Sequence, residues 1–267
     1  MREDHGEFEA AALGPLPRFV HEEDIRGVLH NHSTWSDGTN SLEEMVAEAE
    51  RLGYSYLGMS EHSKSATYAH GLEPERLLKY LDLIDSLNAA PGRRLRILKG
   101  SECDILADGS LDYDDALLAR LDFVVASVHS RFSMDGDAMT ERILNAVRNP
   151  FTTILGHPTG RLLLERDPYN VDIDAVLAEA ARCDVAVELD AHPSRLDLDW
   201  RHGKMVRKLG VCISIDPDAH AIEGLSDVRY GVGIARKMGL QREQVLNAMG
   251  CAELVGWLER RKTKPEP

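Results

Sequence analysis

His30 and His32 stand two residues apart in the stretch Val28-Leu-His30-Asn-His32-Ser-Thr-Trp-Ser-Asp37-Gly38. The stretch enters apolar and breaks into Ser, Asp and Gly, so both histidines fall where a strand ends and a loop begins. In an extended chain residues two apart point to the same side. The two imidazoles can therefore face one cation, with Asp37 returning from the loop as a third donor. Alone, the pair reads equally well as two hydrogen-bonded histidines. Its meaning depends on His62, Glu102, His129, His157, Asp218 and His220, which follow later in the chain. Together these nine nitrogen and carboxylate donors are too many for one tetrahedral ion and suit two to three divalent cations sharing bridging carboxylates. A set rich in imidazole and free of thiolate favours zinc, manganese or iron over calcium and magnesium.

For these side chains to meet, seven stretches must converge. Apolar runs predict strands at the Val28-Leu29 entry and at residues 56–60, 95–99, 123–127, 152–155, 185–189 and 211–215. Between them, helical spacing follows the capping box Ser41-Leu-Glu-Glu44 as far as Gly53, then recurs at 74–87, 114–120, 138–149, 173–182, 201–209, 230–238 and 241–258. Seven strands alternating with helices predict a parallel sheet closed into an α/β barrel one unit short of eight. Each strand runs out into His, Glu or Asp at its C-terminal end, where barrels of this class carry their chemistry. Scattered core histidines would show no such bias. The domain should span residues 26–259, with 1–25 as a surface lead-in arm and 260–267 as a charged tail.

The 267 residues carry 31 basic and 45 acidic side chains, a net charge of -14. That balance opposes broad, sequence-independent adhesion to nucleic acid. A site for anions in this surface needs local positive charge, which divalent cations would supply. The four cysteines are scattered without a Cys-x-x-Cys pair, which argues for free buried thiols over disulfides or a thiolate zinc site. No apolar run reaches the roughly 18 to 20 residues of a membrane span, and the acidic N-terminus lacks a signal core. A cytoplasmic protein with no membrane association and no obligate protein partner is expected.

His30-x-His32, the Ser36-Asp37-Gly38 loop, Glu61-His62-Ser63-Lys64-Ser65, Glu102, Ser127-Val-His129-Ser, Gly156-His157-Pro158-Thr-Gly-Arg161 and Asp218-Ala-His220 resemble the PHP (polymerase and histidinol phosphatase) superfamily. The likeness is to the PHP domain at the C-terminal end of bacterial X-family DNA polymerases, and it covers nearly the whole chain. It implies a distorted seven-unit (β/α)7 TIM-like barrel, a trinuclear metal site, and manganese-dependent phosphoester hydrolysis of the 3'-5' exonuclease and 3'-phosphatase kind. It also implies that His30, His32, Glu102 and Asp218 hold one ion, with Glu102 bridging to a second and Asp37, His62, His129, His157 and His220 completing the rest. Three positions depart from the pattern: Glu61 stands for Asp, and His70 and His192 each stand for Asn. No polymerase domain precedes the barrel, so an excised module or a free-standing protein is expected.

Metal-bound water has a pKa lowered toward about 7, and neighbouring ions clamp the attacking and leaving oxygens of an in-line displacement. Arg161, Lys64, Arg131 and Arg195 each lie near a strand-end histidine and are candidates to hold phosphoryl oxygens, Arg161 foremost. His70 and His192 could protonate a leaving group or hydrogen-bond the metal ligands from behind. The partner is then a phosphorylated small molecule or a nucleic-acid 3' end, with broad small-ester activity expected. A dedicated single-strand 3'-5' exonuclease and a metal-dependent hydrolase of C-N bonds are the alternatives. The second usually wants fewer ions beside a catalytic carboxylate.

Overall fold

The computed structural model describes residues 7–15 and 17–262. Seven strands lie side by side in chain order, every neighbouring pair parallel. They are β1 (Gly27–Val28), β2 (Tyr56–Met59), β3 (Arg96–Asp104), β4 (Phe123–Ser127), β5 (Ile154–Leu155), β6 (Ala186–Asp190) and β7 (Ile213–Asp216). The helices are α1 (Glu7–Leu13), α2 (Leu42–Arg51), α3 (Pro74–Asn88), α4 (Asp115–Leu118), α5 (Gly136–Arg148), α6 (Ile173–Cys183), α7 (Gly203–Leu209), α8 (Val228–Lys237) and α9 (Cys251–Lys262). α2 starts where expected, because Ser41 and Glu44 cap each other's backbone N–H reciprocally at 3.2 and 2.8 Å. β3 is longer than its apolar run. It pairs with β2 through Lys99 and then with β4 from Gly100 to Asp104, so the ladder carries it past Glu102.

The sheet curls into a nearly closed barrel with two apolar layers. Outward residues such as Ile97, Val124, Val187 and Ile215 pack under the helices. Inward residues Leu29, Tyr56, Leu98, Phe123 and Ala186 fill the N-terminal half of the interior, plugged by Leu254, Trp257 and Leu258 of α9. Phe123 crosses this layer so closely that a Cβ on Gly100 or Gly58 would lie 2.2 or 2.7 Å from its ring. Toward the C-terminal ends the inward positions turn acidic, with Glu102 and Asp104 on β3 and Glu188 and Asp190 on β6 all buried. Apolar packing therefore ends halfway along the barrel, and the polar site begins there.

Among the described residues β1 and β7 share no ladder; side chains close the seam between them, and just beyond it the backbone bridges Asn31 to Ala219, with His32 N donating to Ala219 O at 2.8 Å. Asn247 Nδ2 donates to Gly27 O at 3.2 Å and to Asp216 Oδ1 at 3.0 Å, while its Oδ1 accepts from Ile215 N at 2.5 Å. Asp216 Oδ1 also accepts from Leu29 N at 2.6 Å. These bonds explain a departure from expectation: residues 241–258 do not form one helix. Val245 bridges Ile213, and the segment makes two 3-10 turns, Arg242–Gln244 and Leu246–Ala248, before α9 begins. Seam closure outcompetes the helical spacing there.

Parts of the expected arm and tail lie against the barrel. Val20 is buried and donates to Leu240 O at 3.0 Å, so the later part of the arm is tied down; residues 1–6 and 16 lie outside the described region. Helix α9 runs into the expected tail, and Arg261 donates to Cys183 O at 3.1 Å and Thr152 O at 2.6 Å. Residues 263–267 of that tail lie outside the described region. Of the four free cysteines only Cys103 is buried; the other three are half-buried. No helix among the described residues is long and apolar enough to cross a membrane.

The seam yields a stability prediction. Asn247→Ala leaves the Ile215 N–H and the Gly27 carbonyl buried and unpaired, and should cost about 3 kcal/mol in urea unfolding. Glu48→Ala, which breaks an exposed ion pair with Arg51, should leave the midpoint where it is. Equal shifts in the two variants would mean that Asn247 does not hold the seam.

Candidate metal centre

The loops leaving the strands bring eight of the nine expected donors into three overlapping groups, each able to hold a cation: His32, Asp37, His62 and His220; His30, His32 and Asp218; and His62, Glu102 and His129. His157, the ninth, joins through Glu102. That carboxylate is the hub. Its Oε2 lies 3.4 Å from His30 Nε2, 3.6 Å from His32 Nε2 and 2.9 Å from His62 Nδ1, and its Oε1 lies 3.1 Å from His129 Nε2 and 2.9 Å from His157 Nε2. Asp218 Oδ1 lies 3.2 Å from His32 Nε2 and 3.5 Å from His30 Nε2. Asp37 spans His62 at 3.5 Å and His220 at 3.4 Å.

The donors fit cations because their inward atoms have no other partner. His30 Nε2, both ring nitrogens of His32, His62 Nδ1, Glu102 Oε2 and Asp218 Oδ1 are buried without a hydrogen bond. So many orphaned atoms would be costly in a core, where buried polar groups are normally paired. Their charges point the same way. Burial works to raise the Glu102 carboxyl, but His129, His30 and His62 outweigh it and hold it well below the usual range. Burial works to lower His62 and His129, yet Glu102 with Asp37 raises the first to about 10, and Glu102 with Asp104 raises the second to about 9. His220, likewise opposed by burial, is raised to about 9 by Asp37 and Asp218. His32 is instead pushed down to about 3 by burial and by its neighbours His220 and His62. Cations would replace these protons.

Residues behind the donors orient them. His30 Nδ1 pairs with Glu188 Oε1 at 2.7 Å, and Glu188 Oε2 accepts from His157 N at 2.5 Å. His129 Nδ1 pairs with Asp104 Oδ1. A carboxylate on one ring nitrogen turns the other toward a metal. Glu61, the first departure from the family pattern, accepts from the backbone and hydroxyl of both Ser33 and Ser36 and so fixes the loop between His32 and Asp37. Sequence reading missed the roles of Glu188 and Asp104. The available signal was parity: each stands two residues from another acid with Cys103 or Leu189 between, so the two acids of each pair share a face.

The structure separates the expected cations. Arg161 is not directed at the cluster: its Nε donates to Arg195 O at 2.9 Å, Nη1 to Asp199 Oδ2 at 2.5 Å and Nη2 to Leu196 O, so it splints the loop after β6. Arg195, carried on that loop, places Nε 3.1 Å from Asp190 Oδ2 and 3.5 Å from Asp218 Oδ2, and its Nη1 is buried without a hydrogen bond. Arg131 and His70 are exposed, each at positive φ, and Lys64 is half-buried. His192 Nδ1 pairs with Ser194 Oγ at 2.7 Å.

The sequence profile of the PHP domain matches residues 29–180. The chain belongs to the PHP domain family. The matched span holds His30, His32, Asp37, His62, Glu102, His129 and His157, while Asp218 and His220 lie beyond it. The PHP chain is 43% identical over 236 residues to the DNA polymerase/3'-5' exonuclease PolX of Bacillus subtilis, which covers 88% of this chain and 41% of that protein. It therefore spans less than half the length of that relative. A relative named as a probable phosphatase in Thermoanaerobacter sp. (strain X514) is 25% identical, covering 88% of this chain and 95% of its own length. Among solved structures, histidinol phosphate phosphatase from Lactococcus lactis, complexed with zinc, L-histidinol and phosphate, shares the fold at a TM-score of 0.53 and 18% identity, covering 81% of this chain and 95% of its own.

Two measurements test the centre. Glu188→Gln should weaken metal affinity about 10- to 100-fold by loosening His30. The imidazoles of His62, His129 and His220 sit above the ordinary value of 6.5 in metal-free protein. Their stabilising contribution is complete below about pH 6.5 and disappears as pH rises through about 9 to 10. The melting temperature of chelated protein should fall across that window relative to manganese-loaded protein, and loading at pH 7 should release protons. A constant difference between loaded and stripped protein would rule the linkage out.

Proposed function

We propose that this PHP domain is a metal-dependent phosphoester hydrolase. In this reading His30, His32, Asp37, His62, Glu102, His129, His157, Asp218 and His220 hold two to three divalent cations. The observation that carries it is the buried Glu102 hub with its orphaned donors, beside an arginine whose Nη1 has no partner. Divalent cations, when bound, supply charge to phosphoryl oxygens and acidify a water for attack. Arg195 is anchored by Asp190 and Asp218, so its remaining donors can hold a phosphoryl oxygen at the cluster without reorganising. Arg161 positions Arg195 by gripping its carbonyl. His192, paired to Ser194, steadies the same loop.

Small phosphorylated molecules are the preferred substrates in this reading. The net charge of -14 leaves the cations and a few basic side chains at the mouth to attract a polyanion, whereas a small ester puts its whole charge inside the site. The 43% identity to PolX supports the second reading, a 3'-5' exonuclease acting on nucleic-acid ends at the same centre. The two differ in a comparison of KM for an oligonucleotide and for 4-nitrophenyl phosphate at low and moderate salt. Oligonucleotide KM should be high and rise steeply with salt. Tight, salt-insensitive oligonucleotide turnover without small-ester activity would make the protein a dedicated nuclease.

Elemental analysis after manganese or zinc loading should find two to three ions per chain, and fewer than one would overturn the cluster. Glu102→Ala and Asp218→Ala should abolish phosphate release. Arg195→Ala should raise KM about 10- to 100-fold with metal content intact, as expected for loss of a charge-assisted hydrogen bond. Loss of metal in that variant would make Arg195 a support of the ligands instead.

A further inference from the structure

Tyr68 is 66% exposed and belongs to neither apolar layer of the barrel, so packing does not account for it. It projects from the 3-10 turn Thr67–Ala69 after β2, directly beside the cluster. Its ring centroid lies 6.1 Å from that of His62 and 6.3 Å from that of His129, tilted steeply to both. The turn beneath it is fixed. Ala66, Ala69 and Leu72 are buried, Ser65 N and Oγ donate to Asp112 at 2.7 and 2.5 Å, and Leu72 N donates to His62 O at 2.8 Å. Partial burial in the concave mouth and the charges of Glu102, Asp104 and Asp37 push its hydroxyl up, while Arg195 acts in the opposite sense. The side chain thus overlooks the cation group of His62, Glu102 and His129. Leu163 and Leu164, two other exposed apolar side chains, lie on the loop after β5, held to the β6 loop by Leu163 N donating to Ser194 O at 2.6 Å. Neither offers a planar face.

We propose that Tyr68 is the residue that selects the leaving group, its ring stacking on a planar aromatic group, such as a nucleobase, whose phosphoryl lies at the metal cluster. This rests on the phosphoester reading of the site. A ring with two side-chain torsions on a tethered turn loses little freedom when a base stacks on it, and every base has a π-face, so the preference is for aromatic over non-aromatic esters. Exposure of an aromatic ring at an active-site mouth then has a use that a surface tyrosine elsewhere would lack.

The test compares adenosine 5'-monophosphate with ribose 5-phosphate, which keeps the sugar and phosphoryl and removes the base. With manganese-loaded protein, rapid-mixing binding read before turnover gives Kd, and phosphate release gives KM and kcat. Tyr68→Ala should raise Kd and KM for adenosine monophosphate about tenfold, to the level of ribose 5-phosphate. Values for ribose 5-phosphate should not move, and Tyr68→Phe and Tyr68→Trp should retain the preference. Equal changes for both ligands, no change for either, or unsubstituted protein binding adenosine monophosphate no tighter than ribose 5-phosphate would each overturn the proposal. Base-selective binding without phosphate release would instead remove the hydrolase reading and leave Tyr68 as the base contact. Turnover of both esters without discrimination at Tyr68 would do the reverse.

Discussion

A fully buried carboxylate surrounded by five imidazoles is the constraint on which the rest of this molecule depends. Glu102 lies on the inner face of β3, and removing its charge from water is expensive unless positive charge surrounds it. Everything near it supplies that charge or leaves room for it. β3 continues past its ladder with β2 into one with β4, which brings Glu102 beside His62 on one side and Val125 of β4 on the other. The carboxylates behind the ring, Glu188 and Asp104, keep the imidazoles turned inward. Removing Glu102 would therefore take away both a candidate ligand and the reason for the surrounding arrangement.

The interior is divided along its axis. Its lower half is closed by Phe123 and the apolar face of α9, and no water-filled channel is needed below the site. In its upper half, inward positions are acidic or histidine-bearing, and the loops after β1, β2, β4, β5 and β7 supply the remaining donors. Low dielectric below and polar crowding above make each charge at the boundary stronger than it would be at a surface.

Much of this was legible in the residues. Strand ends marked by His30, His62, His129, His157 and His220 announced both the barrel and the end of it where these side chains gather, because periodicity and polarity change at the same positions. Glu188 and Asp104 were harder, since a carboxylate inside a strand signals a site only once the inward parity of that strand is known. Arg161 and Arg195 were not separable by spacing: which guanidinium meets the cluster depends on how the loop after β6 folds back. The segment from 241 to 250 has helical spacing and is nevertheless broken, because Asn247 has partners on β1 and β7 that no local pattern reveals.

The seam between β1 and β7 also sets the order in which the centre can come into being on the ribosome. His62, Glu102 and His129 emerge close together and belong to adjacent strands, so one cation group can assemble from an early, contiguous part of the chain. The group of His30, His32 and Asp218 has to wait for residues separated by nearly the whole barrel, joined by bonds such as that between Leu29 and Asp216, 187 positions apart. Contacts of such separation form late and carry a large loop-closure cost. In the proposed reading, a nascent chain would assemble its first cation group before its second, and the second would mark a closed barrel.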